Sequence, residues 1–183
     1  MEFHELHRTV CDELSRSLDT INDVRIGQLI ERIGQAKRIF CDGKGRSGLA
    51  AAAFAMRLVQ MGIQAHLAVE ATSPAIEAGD LLIVFTASGE TENLVSHVIT
   101  AKKAGAEIAV VSTNADSRIA SNADCCVLVS ANSKDKAGTA SVQPMGSLFE
   151  QSVLVMCDVI CIILMEKRQL KEQDLRIRHN NME

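Results

Sequence analysis

The sequence predicts an α/β protein: a three-layer α/β/α sandwich on a mainly parallel, Rossmann-like sheet of five strands. Three observations predict it. Short runs such as Leu81–Phe85 and Glu107–Ser112 are rich in Val, Ile and Leu, as strands covered on both faces must be. These runs alternate with segments of helical spacing. Glycines and hydroxyl residues cluster just after two of the runs, where open α/β sheets bind their ligands. At 183 residues the chain has room for one full core, so a single domain is expected over 1–183, with a helical segment over about 1–36 and a closing helix and tail over about 147–183.

Taken in order, Phe3, Leu6, Val10, Leu14, Leu18 and Ile21 recur at helical spacing, and Ile26, Leu29, Ile30 and Ile33 repeat the pattern. Two amphipathic helices therefore open the chain. Arg38–Asp42 is a short strand, followed by Gly43-Lys44-Gly45-Arg46-Ser47-Gly48 and a helix over Leu49–Met61, favoured by its alanines. Gln64–Val69 and Leu81–Phe85 are strands, Glu92–Ala104 a helix, Glu107–Ser112 a strand, Asp116–Ala123 a short helix and Cys125–Val129 the fifth strand. Asn132–Gln143 is polar and reads as a mobile loop, and Ser147–Lys167 closes the core as a long helix before a charged tail.

Composition narrows the function classes. A net charge of −4, with no Trp and no Tyr, offers neither a field nor stacking surfaces for nucleic acid. The first residues are charged and show no signal or transit peptide, so a cytoplasmic protein is expected. The longest uninterrupted apolar run, Val159–Met165, is too short for the ~20 residues of a membrane span. The six cysteines contain no C-x-x-C pair, and Cys157 and Cys161 fit an apolar helix face better than a ligand pair; no metal is expected.

The chemistry gathers at two loops. Ser88-Gly89-Glu90-Thr91 places hydroxyls and unsatisfied backbone N–H groups at a helix N-terminus, which suits a phosphate. The alternative is that Ser88 or Thr91 only caps that helix. The Gly43–Gly48 loop supplies another hydroxyl, Ser47, two cations and a second helix start, which suggests a shared pocket for a polyol phosphate. It is also a G-x-G-x-x-G after a strand with Glu70 downstream, the pattern of a dinucleotide site, although 183 residues leave little room for a second substrate there. Glu150 starts an apolar helix: Ser147-x-x-Glu150 reads as a capping box, or as a desolvated carboxylate poised as a base. Among the histidines, His179 stands in a polar tail, and His4, His7, His66 and His97 have no evident partner.

The run from Asp42 to Gln151 resembles the sugar isomerase (SIS) domain, and its details resemble the 6-phospho-3-hexuloisomerase branch. The pieces are G-K-G-R-S-G-L-A with A-F-A-M-R-L, T-S-P-A-I-x-x-G-D-L-L-I, S-G-E-T, Q-P-M-G-S-L-F-E-Q, and L-M-E-K with the tail R-H-x-N-x-E. The resemblance implies an SIS-type fold and an isomerase of 3-hexulose 6-phosphate and fructose 6-phosphate, working after formaldehyde fixation onto ribulose 5-phosphate by a 3-hexulose-6-phosphate synthase. It implies a homotetramer without cofactor. Glu150 is then the base with His179 nearby, and substrate binds at Gly45, Arg46 and Ser47 and at Thr86, Ala87, Ser88, Gly89, Glu90 and Thr91. Where relatives commonly read S-G-S-G-E-T, this chain has Thr86-Ala87-Ser88, and alanine resists positive φ, so the loop must avoid that conformation or carry strain. Other SIS members isomerise pentose or heptose phosphates. Still others are sugar-phosphate sensors joined to a DNA-binding domain, for which the ~35 residues before Arg38 are too few.

Overall fold

The computed structural model describes residues 2–131 and 141–182, so most of the polar stretch 132–143 lies outside the described residues. The elements are α1 (Phe3–Leu18), α2 (Asp23–Gln35), β1 (Ile39–Gly43), α3 (Arg46–Gln60), β2 (Ala65–Leu67), β3 (Leu81–Phe85), α4 (Glu92–Lys103), β4 (Glu107–Ser112), β5 (Cys125–Leu128), α5 (Ser147–Lys167) and α6 (Glu172–Ile177). The five strands lie in the order β2-β1-β3-β4-β5, and every neighbouring pair is parallel.

Alternation along each strand divides the interior in two. Ile39, Cys41, Leu81, Ile83, Ala109 and Val111 face a core shared with α2, α3 and α5, whereas Phe40, Leu82, Val84, Ile108 and Val110 face α4. That is the three-layer sandwich, with the heavier layer on the α3–α5 side. Cys41, Cys157 and Cys161 belong to that heavier core; burial pushes the Cys161 thiol up to about 12 and raises Cys41 and Cys157 as well, so they serve as small apolar residues. By length and apolarity alone α5 could cross a bilayer, yet it packs Phe149, Val153, Met156, Ile160 and Leu164 into this core.

Several boundaries differ from the sequence reading. Helix α3 begins at Arg46 rather than Leu49, because Gly45, at φ 58°, turns the chain sharply enough for Arg46 to be helical. The predicted helix over Asp116–Ala123 reduces to a 3₁₀ turn at Ala120–Asn122, and β2 keeps only Ala65–Leu67 of Gln64–Val69. The tail carries α6, which has no apolar stripe and is supported by a Glu172–Arg176 pair one turn apart.

Strand order places the candidate site. The chain moves from β1 to β2 on one side and then returns to β3 on the other, so the connections diverge between β1 and β3. Gly43 and Phe85 are opposite each other in the ladder, and the two glycine-bearing loops therefore leave the sheet side by side at its switch point.

Candidate active site

The first loop is shaped by its glycines. A Cβ on Gly43 would lie 2.8 Å from the carbonyl carbon of Ser47, and one on Gly48 would lie 2.7 Å from the Gly43 oxygen. These two glycines let β1 and α3 touch backbone to backbone, whereas Gly45 supplies the positive φ. The result points the start of α3, with Ser47, toward the next loop.

The second loop is tied down by its own backbone and by its neighbours. Gly89 N–H donates to Thr86 Oγ1 (3.2 Å), and Glu90 N–H donates to Ser88 Oγ (3.3 Å). The Ala87 carbonyl accepts from the hydroxyls of Ser112 (3.1 Å) and Thr113 (2.8 Å). Ala87 has a negative φ; the left-handed position falls on Gly89 at 70°, where a Cβ would collide with Ser117. The alanine that departs from the relatives' glycine is therefore accommodated without strain.

The third wall is the start of α5. Its N-cap is Gly146, and Glu150 lies one turn in, with its N–H donating to the Gly146 carbonyl (3.0 Å). Ser147 is already helical and makes no cap, so the capping-box alternative for Glu150 does not form. The Glu150 side chain is 9% exposed and receives Arg46 Nε on Oε2 at 2.5 Å. Its other oxygen, Oε1, lies on the Gly146 side, 3.5 Å from where a Cβ at that position would stand, an ordinary contact distance.

These three walls enclose one cavity of about 270 Å³. Gly45, Ser47, Thr86, Ala87, Ser88, Thr91 and Glu150 all line it, joined by Lys44 and Gly146. Gly45, Thr91 and Gly146 are the N-caps of α3, α4 and α5, and none of the three helices has a side-chain cap bond. Three helix N-termini thus converge on one space, with first-turn N–H groups and the Thr91 hydroxyl not spent on capping. The electrostatic sum favours an anion there, reinforced by Lys44.

Two residues of the S-G-E-T loop act from outside the cavity. Glu90 turns toward Arg118, whose backbone N–H donates to Glu90 Oε1 (2.9 Å) and whose Nε donates to Oε2 (2.6 Å); Arg118 also reaches Glu92 at 2.7 Å. Gly89 packs over Ser117. Arg118 was invisible as a partner, being 28 residues along the chain from Glu90.

His179 lies elsewhere. The preceding Arg178 guanidinium approaches Gly62, just past the C-terminal end of α3, whereas the cavity is at that helix's N-terminus. Fifteen helical residues separate the two ends, about 22 Å. Within one chain the tail histidine does not join the cavity. Among the described residues no group of three or more His, Cys, Asp or Glu side chains could hold a metal ion.

The sequence profile of the SIS domain matches residues 32–155. A 3-hexulose-6-phosphate isomerase of Bacillus subtilis is 36% identical over 185 aligned positions, covering all of both chains. Another, from Mycobacterium gastri, is 40% identical over 95% of this chain and 88% of its own. A crystal structure of a Methanococcus jannaschii protein, whose inferred function is 3-hexulose-6-phosphate isomerase, superposes with a TM-score of 0.84 at 29% identity, covering 98% of this chain and 99% of that one.

Proposed function

The chain belongs to the SIS domain family, and we infer that it is a sugar-phosphate isomerase interconverting 3-hexulose 6-phosphate and fructose 6-phosphate. The observation that carries this reading is the meeting of three uncapped helix N-termini and the hydroxyls of Ser47, Ser88 and Thr91 around a cavity that Glu150 also lines. The hydroxyls and N–H groups bind the phosphate, which holds the sugar with its carbonyl end toward Glu150. The 3-ketose loses the proton from its hydroxyl-bearing C2 to Glu150, forming a C2–C3 enediolate. The same carboxyl returns the proton to C3, leaving the carbonyl at C2. Arg46 holds Oε2 and supplies the compensating charge, so Oε1 is the oxygen that takes the proton.

The assembly belongs to the same proposal. Phe3, Leu49 and Ile162 are 76%, 71% and 57% exposed, and Leu154 and Val159 extend the apolar surface along α5. A homotetramer would cover these side chains, and a tail placed far from its own cavity would then serve a neighbour's, bringing His179 to move hydroxyl protons or open a cyclic sugar. A 3-hexulose-6-phosphate synthase is the expected upstream partner, in the cytoplasm. The test is a coupled assay: ribulose 5-phosphate, formaldehyde and a separate synthase are supplied, and fructose 6-phosphate is measured. Product that appears only with this chain supports the reading; none, with the synthase shown active, overturns it.

A further inference from the structure

Helix α1 is amphipathic in sequence, yet its buried residues are Glu13 and Ser17 rather than its apolar ones. Glu13 is 6% exposed. A carboxylate in that position is unfavourable unless it is fully hydrogen-bonded. It is: Oε1 accepts from Val142 N–H at 2.8 Å, and Oε2 accepts from Ser141 Oγ at 2.7 Å and Gln143 Nε2 at 3.0 Å. Ser141 Oγ in turn accepts from Gln143 N–H at 3.0 Å. Burial pushes the Glu13 carboxyl up, but the donors from Ser141, Gln143 and Val142 outweigh it and hold the group below the usual carboxylate range. One turn along α1, the Ser17 hydroxyl hydrogen-bonds the Ser152 hydroxyl at 2.9 Å, on the second turn of α5, where Ser152 Oγ also donates to the Leu148 carbonyl at 2.7 Å.

Helix α1 therefore grips the chain at two points, Ser141–Gln143 and Ser152. Between them lie Met145, in the left-handed region at φ 56°, then Gly146 and Glu150. A non-glycine residue at positive φ costs free energy and persists where its flanks are fixed. The Gly146 carbonyl accepts the Glu150 N–H, so a shift of the anchored segment is passed to the carboxylate.

We propose that Glu13 is a positioning residue for the isomerisation, fixing Ser141–Gly146 and through it the carboxylate of Glu150. The proposal rests on Glu150 being the base. Glu13 is not among the residues that line the cavity.

The test compares Glu13→Ala, Glu13→Gln and the swapped pair Glu13→Gln with Gln143→Glu, with Glu150→Gln as a separate control. Misplacement of a base by about an ångström lowers turnover by up to about a hundredfold, so Glu13→Ala should reduce kcat about ten- to a hundredfold. KM and the inhibition constant of inorganic phosphate should stay within about twofold, because the S-G-E-T loop has its own anchors. The swap again opposes donor to acceptor between positions 13 and 143 and should recover most of the activity lost in Glu13→Gln, which a purely spatial role would not do. Unchanged kcat in Glu13→Gln and Glu13→Ala would overturn the proposal, as would a parallel loss of phosphate binding. If Glu13→Ala fails to fold, the decision falls to Glu13→Gln and the swap, where failure to recover overturns it. Near-normal turnover in Glu150→Gln would instead remove the base assignment itself.

Discussion

The two edges of the sheet both carry polar side chains and do opposite things with them. At the carboxyl edge, Lys44, Ser47, Ser88 and Thr91 face a cavity, and three helices begin without side-chain caps. At the amino edge, polar groups close on one another: Arg38 donates Nε to Asp80 Oδ1 (3.0 Å) and Nη2 to Oδ2 (2.6 Å), and reaches Glu77 at 3.1 Å. Asp80 is 1% exposed and also accepts from Glu77 N–H at 2.9 Å. The lesson is one of satisfaction. Where donors already have partners, substitution should cost stability; where they await a ligand, it should cost turnover or binding.

The largest effect should come from Glu150→Gln. Losing the carboxylate should lower kcat at least about a hundredfold with the fold retained, as judged by circular dichroism and steady-state rates. Near-normal turnover would leave the carboxyl edge as a binding site without its base.

The tail complicates the division, because it sits at the amino edge beside Gly62 while the proposal gives His179 a part in catalysis. Truncation before Arg178 should lower turnover by about tenfold or more. Mixing that truncation with Glu150→Gln, after dissociation and reassembly, should restore activity at sites that join an intact Glu150 to a neighbour's tail. No recovery in verified hybrids would sink the shared site, because a tail acting in cis leaves each lesion in its own chain.

Next comes the hydroxyl loop. Ser88→Ala with Thr91→Ala should raise KM for the phosphorylated sugar by about tenfold or more, the scale of lost hydrogen bonds to a charged group, and leave the melting temperature nearly unchanged. Stability is largely spared because the Thr91 side chain makes no cap bond and Ser88 Oγ gives up only a long, exposed bond from Glu90 N–H at 3.3 Å. Lost stability at constant KM would return both residues to helix capping.

How much of this was legible follows from where the information lies. The sheet was readable because its strands are dense apolar runs, and the pocket loops because glycines and hydroxyls directly follow two of them. Pairings between remote positions were not: Arg46 and Glu150 are 104 residues apart, and nothing local in either segment encodes their meeting. Glu13 is hidden in the sequence for a different reason. Apolar spacing assigns a helix its buried face, and in α1 that face is occupied by Glu13 and Ser17. Helix α6 has no apolar stripe to betray it, and His179 could be recognised by motif but not placed by it.

The smallest effect on catalysis should come from the amino edge, where the comparison is sharpest. Asp80→Asn removes the charge that Arg38 grips with two N–H groups but leaves the cavity untouched, so kcat and KM should stay within about twofold. Stability should fall by about 1–3 kcal/mol, since a buried charge-assisted pair is broken. In a chain of this size each kcal/mol moves the melting temperature by roughly 2–4 °C. The pH dependence fixes the cause. Burial raises the Asp80 carboxyl, but the Arg38 hydrogen bond and the Glu77 N–H outweigh it and hold the group below the ordinary aspartate range. A carboxyl whose folded value is depressed contributes stability above its unfolded value and loses it as pH falls through the folded one. The native protein should therefore lose stability on acidification below the ordinary aspartate range, and Asp80→Asn should lose less over the same interval. Glu13, held low in the same sense, keeps the variant's acid limb from vanishing. Parallel acid limbs in the two proteins would show that the Arg38–Asp80 pair contributes nothing, and that the amino edge is held by its apolar contacts alone.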